Sequence, residues 1–165
     1  MNTHAPDPAS PFGVFETLNE SRGNLAIHHR LDKETSGVLL FGKSRLANQH
    51  LSGQFLKKQV EKQYLFLTNS KTILKKTEFS SAIVRSGERY VSKPSSLSTS
   101  SATTLFEPFG HAGSHQRIKA APITGKTHQI RVHASALGAP VLGDTLYGGQ
   151  PWSRLCLHAS VLKFI

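Results

Sequence analysis

Residues 28–37 read His-His-Arg-Leu-Asp-Lys-Glu-Thr-Ser-Gly, and they set how the chain around them must fold. One carboxylate, Asp32, lies among His28, His29, Arg30 and Lys33, with a Thr35-Ser36-Gly37 turn behind it. Short apolar segments flank the charged stretch, Leu25 to Ile27 before it and Val38 to Phe41 after it. That pattern predicts a strand, a turn carrying Asp32, and a second, buried strand. A lone acid among cations should stay ionised, because nearby positive charge favours the carboxylate. The same cations could hold a polyanion against it, so the stretch suggests an active site that works on nucleic acid.

The composition agrees with that partner. There are 20 Lys and Arg against 10 Asp and Glu, and the pI is about 10.1. A basic excess of this size points to nucleic acid or an anionic surface. The single cysteine, Cys156, permits no internal disulfide and is compatible with a reducing cytosol. No apolar run approaches the roughly 18 residues of a membrane span, and the N-terminus lacks the features of a signal peptide. A cytoplasmic location without membrane association is expected.

Further along, residues 1–24 read as an irregular N-terminal segment with one helical turn at most. Ser44 is a candidate N-cap for a helix reaching about Gln59, with Ala47, Leu51 and Phe55 at four-residue steps. Tyr64 to Thr68 reads as a core strand. Phe79 to Val84 and Tyr90 to Val91 are weaker strand candidates, and residues 92–104 read as a Ser-rich surface loop. Leu105 to Phe109 and Arg117 to Ile123 should pair across Gly110 to Gly113. Thr127 can cap a helix that Gly138 ends, placing His128 and Arg131 on one face. Leu155 to Ile165 reads as a central strand. Strands outnumber helices and are often sequential, which favours an α+β fold.

The remaining motifs mostly exclude chemistry. Nine histidines invite a metal, yet His128 and His133 would face apart, and His111 and His115 have no ligands beside them. No metal site and no cofactor are expected. Phosphate-cradling loops of the GxxxxGK[ST] and GxGxxG types are missing, as is a GxSxG nucleophile elbow. Among acids, Glu34 reads as a solvated turn charge and Asp144 as a turn former or N-cap. Asp32 remains, with Arg131 and Tyr64 as candidate partners from distant segments. By the residues alone, Tyr64 could equally be core and Arg131 a surface cation.

His29 to Gly37 (HRLDKETSG), Glu61 to Leu67 (EKQYLFL), Ile123 to Gly148 (ITGKTHQIRVHASALGAPVLGDTLYG) and Arg154 to Phe164 (RLCLHASVLKF) together resemble the RluA-type pseudouridine synthases, in the family's order. The resemblance implies isomerisation of uridine to pseudouridine in rRNA or tRNA, without cofactor, after the target nucleotide flips out. It implies that Asp32 acts on the sugar as nucleophile or base. Tyr64 would pack against the uracil and help remove the C5 proton, and Arg131 would ion-pair with Asp32. Arg30 matches the residue that enters the RNA stack, and His29, Lys126 and His128 are expected phosphate or base contacts. Lys126 stands where arginine is usual. The expected fold is one pseudouridine-synthase-like catalytic domain over residues 1–165, truncated at both ends, with a mainly antiparallel mixed sheet flanked by helices, acting as a monomer. An inactive RNA-binding module is the alternative, and a metal-dependent nuclease a more remote one.

Overall fold

Alternation of side chains along the strands builds the core. In the computed structural model, which describes residues 3, 13–95 and 101–165, the elements in chain order begin with α1 (Val14–Arg22), β1 (Ala26–Ile27), β2 (Ser36–Gly37), β3 (Phe41–Gly42) and α2 (Arg45–Leu56). They continue with β4 (Glu61–Thr68), β5 (Thr77–Ser86), β6 (Arg89–Lys93), β7 (Ala102–Ala112), β8 (His115–Pro122), α3 (Gln129–Ala136), a 3-10 turn (Thr145–Tyr147) and β9 (Leu157–Lys163). Every second residue of β8 is buried: Gln116, Ile118, Ala120 and Pro122. Ala102, Thr104 and Phe106 of β7, Phe66 and Thr68 of β4, and Leu157 and Ala159 of β9 are buried with the same period of two. α3 packs onto this face through Ile130 and Ala134, over Phe66 and Phe106, whose rings meet edge to face at 6.1 Å.

The strands lie in the order β2-β9-β4-β8-β7-β5-β6, with β1 and β3 forming a separate pair. Every pairing in the large sheet is antiparallel except β2 with β9. The fold is therefore α+β with a mainly antiparallel mixed sheet. That one parallel pairing, Ser36 against His158 and Gly37 against Ala159, ties the turn carrying Asp32 to the last strand of the chain. Gly37 has φ +127°, and a Cβ there would lie 2.2 Å from the Ala159 carbonyl oxygen. A side chain meets both backbone strain and a clash, so Gly37→Ala should destabilise by about 3 kcal/mol, read by urea denaturation.

Several expectations need correction. Residues 14–22 form a nine-residue helix, because the Gly13 N–H donates to the Glu16 carboxylate and closes the first turn. Val38 is 45% exposed, so the segment after the turn is not a buried strand. The expected 92–104 loop is strand at both ends, where Ala102 and Thr104 alternate into the core; residues 96–100 lie outside the described residues. β9 is an interior strand next to the two-residue edge strand β2, whereas β8 occupies the centre. Ser44 does cap α2, its hydroxyl accepting from the Ala47 N–H at 3.2 Å, but that helix ends at Leu56. Lys58 there turns left-handed, so that the Gln59 N–H reaches the Gln54 carbonyl. Gly138 ends α3 in the same way, with the Ala139 N–H donating to the Ala134 carbonyl. Thr127 caps nothing, since His128 stands at the N-cap position.

Candidate active site

Asp32 opens a tight turn in which the Thr35 N–H donates to its carbonyl at 2.9 Å. The residue before it is held too, because Thr3, itself buried, bonds both backbone groups of Leu31 through its hydroxyl. The Asp32 carboxylate thus sits on a braced loop at the floor of a cleft of about 1240 Å³. His29, Arg30, Tyr64, Lys126, His128 and Arg131 line the same cleft, so all seven residues singled out from the sequence converge there.

Tyr64 reaches it by a local irregularity. The β4–β9 register shifts between Gln63 and Tyr64, and a bulge re-aims the side chain beside it. The Ser160 hydroxyl, on the extra residue, donates to the Gln63 carbonyl at 3.1 Å. Burial, together with the charge of Asp32, pushes the Tyr64 hydroxyl up to about 12. At neutral pH it is a phenol, suited to stacking and donating and not to accepting a proton.

Arg131 rises from α3 and is only 4% exposed. Its Nε donates to Asp144 Oδ2 at 2.7 Å and its Nη2 to Asp144 Oδ1 at 2.8 Å, a bidentate pair in which both partners are buried. Nη1 faces Asp32 Oδ2 at 3.8 Å, and Glu34 stands 3.9 Å from Nη2. The guanidinium also lies over the Tyr147 ring, 5.0 Å from its centre. Asp144 is therefore not a simple turn former: its side chain makes no cap bond and instead holds Arg131. Its sequence signal was an isolated acid between Gly143 and Thr145, which must find a distant cation if buried. Which cation it finds is a matter of tertiary contact.

The ionisation expected for Asp32 is also modified. Burial raises its pKa, against the pull of His128 and Arg131; Asp144 adds to the rise, and Arg30 opposes it. Sequence proximity weighed only the cations, whereas desolvation of the buried carboxylate is the larger effect.

The other cleft residues divide by environment. Arg30 and Lys126 are exposed, and their side chains make no hydrogen bond with described residues, which leaves both cations open to a ligand. His29 stacks on Phe55 at 5.4 Å, and its Nε2 accepts the Leu40 N–H at 3.0 Å. Burial, with Lys62 and His28 nearby, takes its pKa down to about 4, so it is neutral at pH 7. Lys62, which donates to the Thr124 carbonyl, is likewise lowered by burial.

His133, on the core side of α3, is fully buried between the hydroxyls of Ser81 at 3.1 Å and Thr104 at 2.9 Å. Burial brings it to about 4 as well. Both folded values lie below the ordinary value near 6.5, so these rings favour folding above that pH. The contribution is lost as pH falls toward 4. The fully buried His133 should remove on the order of 2 kcal/mol by pH 5, seen as a falling urea midpoint, and His133→Gln should flatten that fall.

A buried carboxylate beneath an open basic rim is the outline of a site that works on a polyanion. Residues 2–136 match the family described as RNA pseudouridylate synthase, and the chain belongs to that family. The RluA-type resemblance of its motifs is borne out by its relatives. The chain is 40% identical to the ribosomal large subunit pseudouridine synthase C of Yersinia pestis and 38% identical to that of Haemophilus ducreyi, each over 93% of its length. It spans about half of those relatives, 52% of each. Human RNA pseudouridylate synthase domain containing 1 superposes with a TM-score of 0.79 at 28% identity, over 91% of this chain and 68% of that one. The human domain containing 4 protein superposes at 0.77 and 24% identity, over 98% and 76%, a likeness of fold.

Proposed function

We propose that this chain isomerises a uridine within RNA to pseudouridine, with Asp32 as the residue that acts on the sugar. The observation that carries this reading is the convergence of Asp32, Tyr64 and Arg131, from a turn, a bulged strand and a helix, in one cleft. In the reaction the N1–C1′ bond breaks, the uracil turns, and C5 bonds to C1′. C5 gives up its proton and N1 takes one up, so substrate and product are isomers and no cofactor is consumed. A carboxylate that is to serve as nucleophile or base must be ionised and aimed. The Arg131 guanidinium 3.8 Å away supplies charge for both, while Asp144 supplies the fixed position.

Tyr64, a neutral phenol, takes the packing role against the uracil. Arg30, at the mouth, is placed to stack in the gap that the flipped nucleotide leaves, offsetting part of the few kcal/mol that extrusion costs. Lys126 and His128, which also line the cleft, contact the nucleotide. His29 lines the same cleft, its neutral ring held by the Leu40 N–H. RNA of the large ribosomal subunit is the first substrate to test, given the relatives' names, with tRNA second; we take the protein to act as a monomer in the cytoplasm. Incubation with RNA tritiated at uridine C5 should release tritium to water. Release should fall as pH drops through the raised pKa of Asp32, because only the carboxylate is competent. RNA binding without any release would overturn the reading.

A further inference from the structure

Tyr147, at the end of the 3-10 turn that begins after Asp144, is a buried residue whose hydroxyl has two neighbours. The Tyr90 backbone nitrogen lies at 3.0 Å and His128 Nδ1 at 2.7 Å. A backbone N–H can only donate, so it occupies one lone pair of the Tyr147 oxygen. The phenol has a single proton, and among the described residues Nδ1 is the acceptor within its reach. Were Nδ1 protonated instead, that phenolic proton would be stranded in a buried site at a cost of about 1–3 kcal/mol. Burial raises the Tyr147 pKa, which keeps the proton on its oxygen.

From this accounting we infer that Tyr147 pins His128 as the neutral imidazole protonated at Nε2, which serves as a hydrogen-bond donor in the cleft to an oxygen of the bound nucleotide. The nucleotide part rests on the function proposed above. The surroundings fit such a fixed donor. The His128 ring is wedged edge-on against Tyr90 at 5.5 Å and Tyr147 at 5.6 Å. Its backbone is left-handed, φ 54° and ψ 18°, a conformation that costs a non-glycine residue about 1–3 kcal/mol and persists where neighbours over-determine it. Nε2 has no hydrogen-bond partner among the described residues. The charges facing the ring are Asp32, Arg131, Asp144 and Glu34, and burial keeps its pKa below the ordinary value. One short turn, 144–147, thus holds Arg131 through Asp144 and His128 through Tyr147. Both are delivered to Asp32 by the same segment.

A neutral donor suits a uracil carbonyl oxygen, on which charge builds as the glycosidic bond breaks, or a phosphate oxygen. Tyr147→Phe tests the idea, because it keeps the ring under Arg131 and removes only the hydroxyl. Side-chain 15N NMR of the full chain at neutral pH, with His128 assigned by its loss in His128→Asn, should show Nε2–H in the wild type and a tautomer mixture in Tyr147→Phe. In the tritium assay, kcat should fall about 10-fold or more at unchanged KM if a base oxygen is the acceptor. A raised KM at unchanged kcat would identify a phosphate oxygen. Nδ1–H in the wild type, or unchanged kcat and KM in Tyr147→Phe, would overturn the inference. The NMR result needs no turnover, so a wild type that releases no tritium would refute the proposed function and leave the tautomer assignment standing.

Discussion

Asp32→Asn is expected to lower tritium release by about 10³-fold or more while RNA binding persists. Asn retains the shape of the side chain and one acceptor oxygen but can neither attack C1′ nor take a proton from the sugar. Its turn is held by the Thr35 N–H and by Thr3 on the preceding residue, neither of which uses the carboxylate. The same substitution should not cost stability. Burial raises the folded pKa of Asp32, so the fold favours the protonated form. That preference stabilises the chain below the unfolded pKa near 4 and is lost as pH rises through the folded value. At pH 7 the ionised carboxylate is therefore a burden, and the variant should melt no lower than the wild type, any advantage disappearing under acid. Retained release would sink the assignment of Asp32; a large drop in melting temperature would show the carboxylate to be structural.

Arg131→Met should be the most destabilising of the substitutions considered, by about 3–5 kcal/mol. The cost arises from what stays behind. Asp144 is 2% exposed and both its carboxylate oxygens are bonded to Arg131, so truncation leaves a buried charge with no partner. Asp32 would also lose a cation that opposes its desolvation. The double variant Arg131→Met/Asp144→Leu should recover much of that stability, since an apolar pair of similar volume is often as stable as a buried ion pair. It should not recover tritium release, because Nη1 no longer faces Asp32. Urea denaturation of the wild type, both single variants and the double variant measures the coupling. A cost below about 1 kcal/mol for Arg131→Met would show the pair to be far more hydrated than its burial implies.

Much of this protein is local and could be read in order along the chain. Aromatic and apolar segments bounded by turn residues mark β4, β7 and β8, Ser44 announces α2, and Gly138 ends α3, because propensity and capping depend on neighbours in sequence. The cleft residues were legible for another reason: Asp32 stood out as a lone acid among cations, and Arg30, Lys126 and Arg131 sit in motifs that resemble those of the RluA-type synthases. α1 escaped notice because its signal is a backbone cap at Gly13, with no Ser, Thr, Asp or Asn to announce it.

Tertiary structure decided the charges and the partners. His29 read as one of the cations around Asp32, yet burial makes it neutral, as it does His133 in the core. Asp32 read as a carboxylate stabilised by its cations, yet desolvation by burial outweighs them. Asp144 read as a turn former or N-cap, yet it grips Arg131, and Tyr147 in the same turn grips His128, each more than a dozen positions back along the chain. Sequence alone determined which chemical groups are available and the elements that carry them. The fold decided which groups meet, and at what dielectric, because ionisation and pairing depend on distance and water in three dimensions.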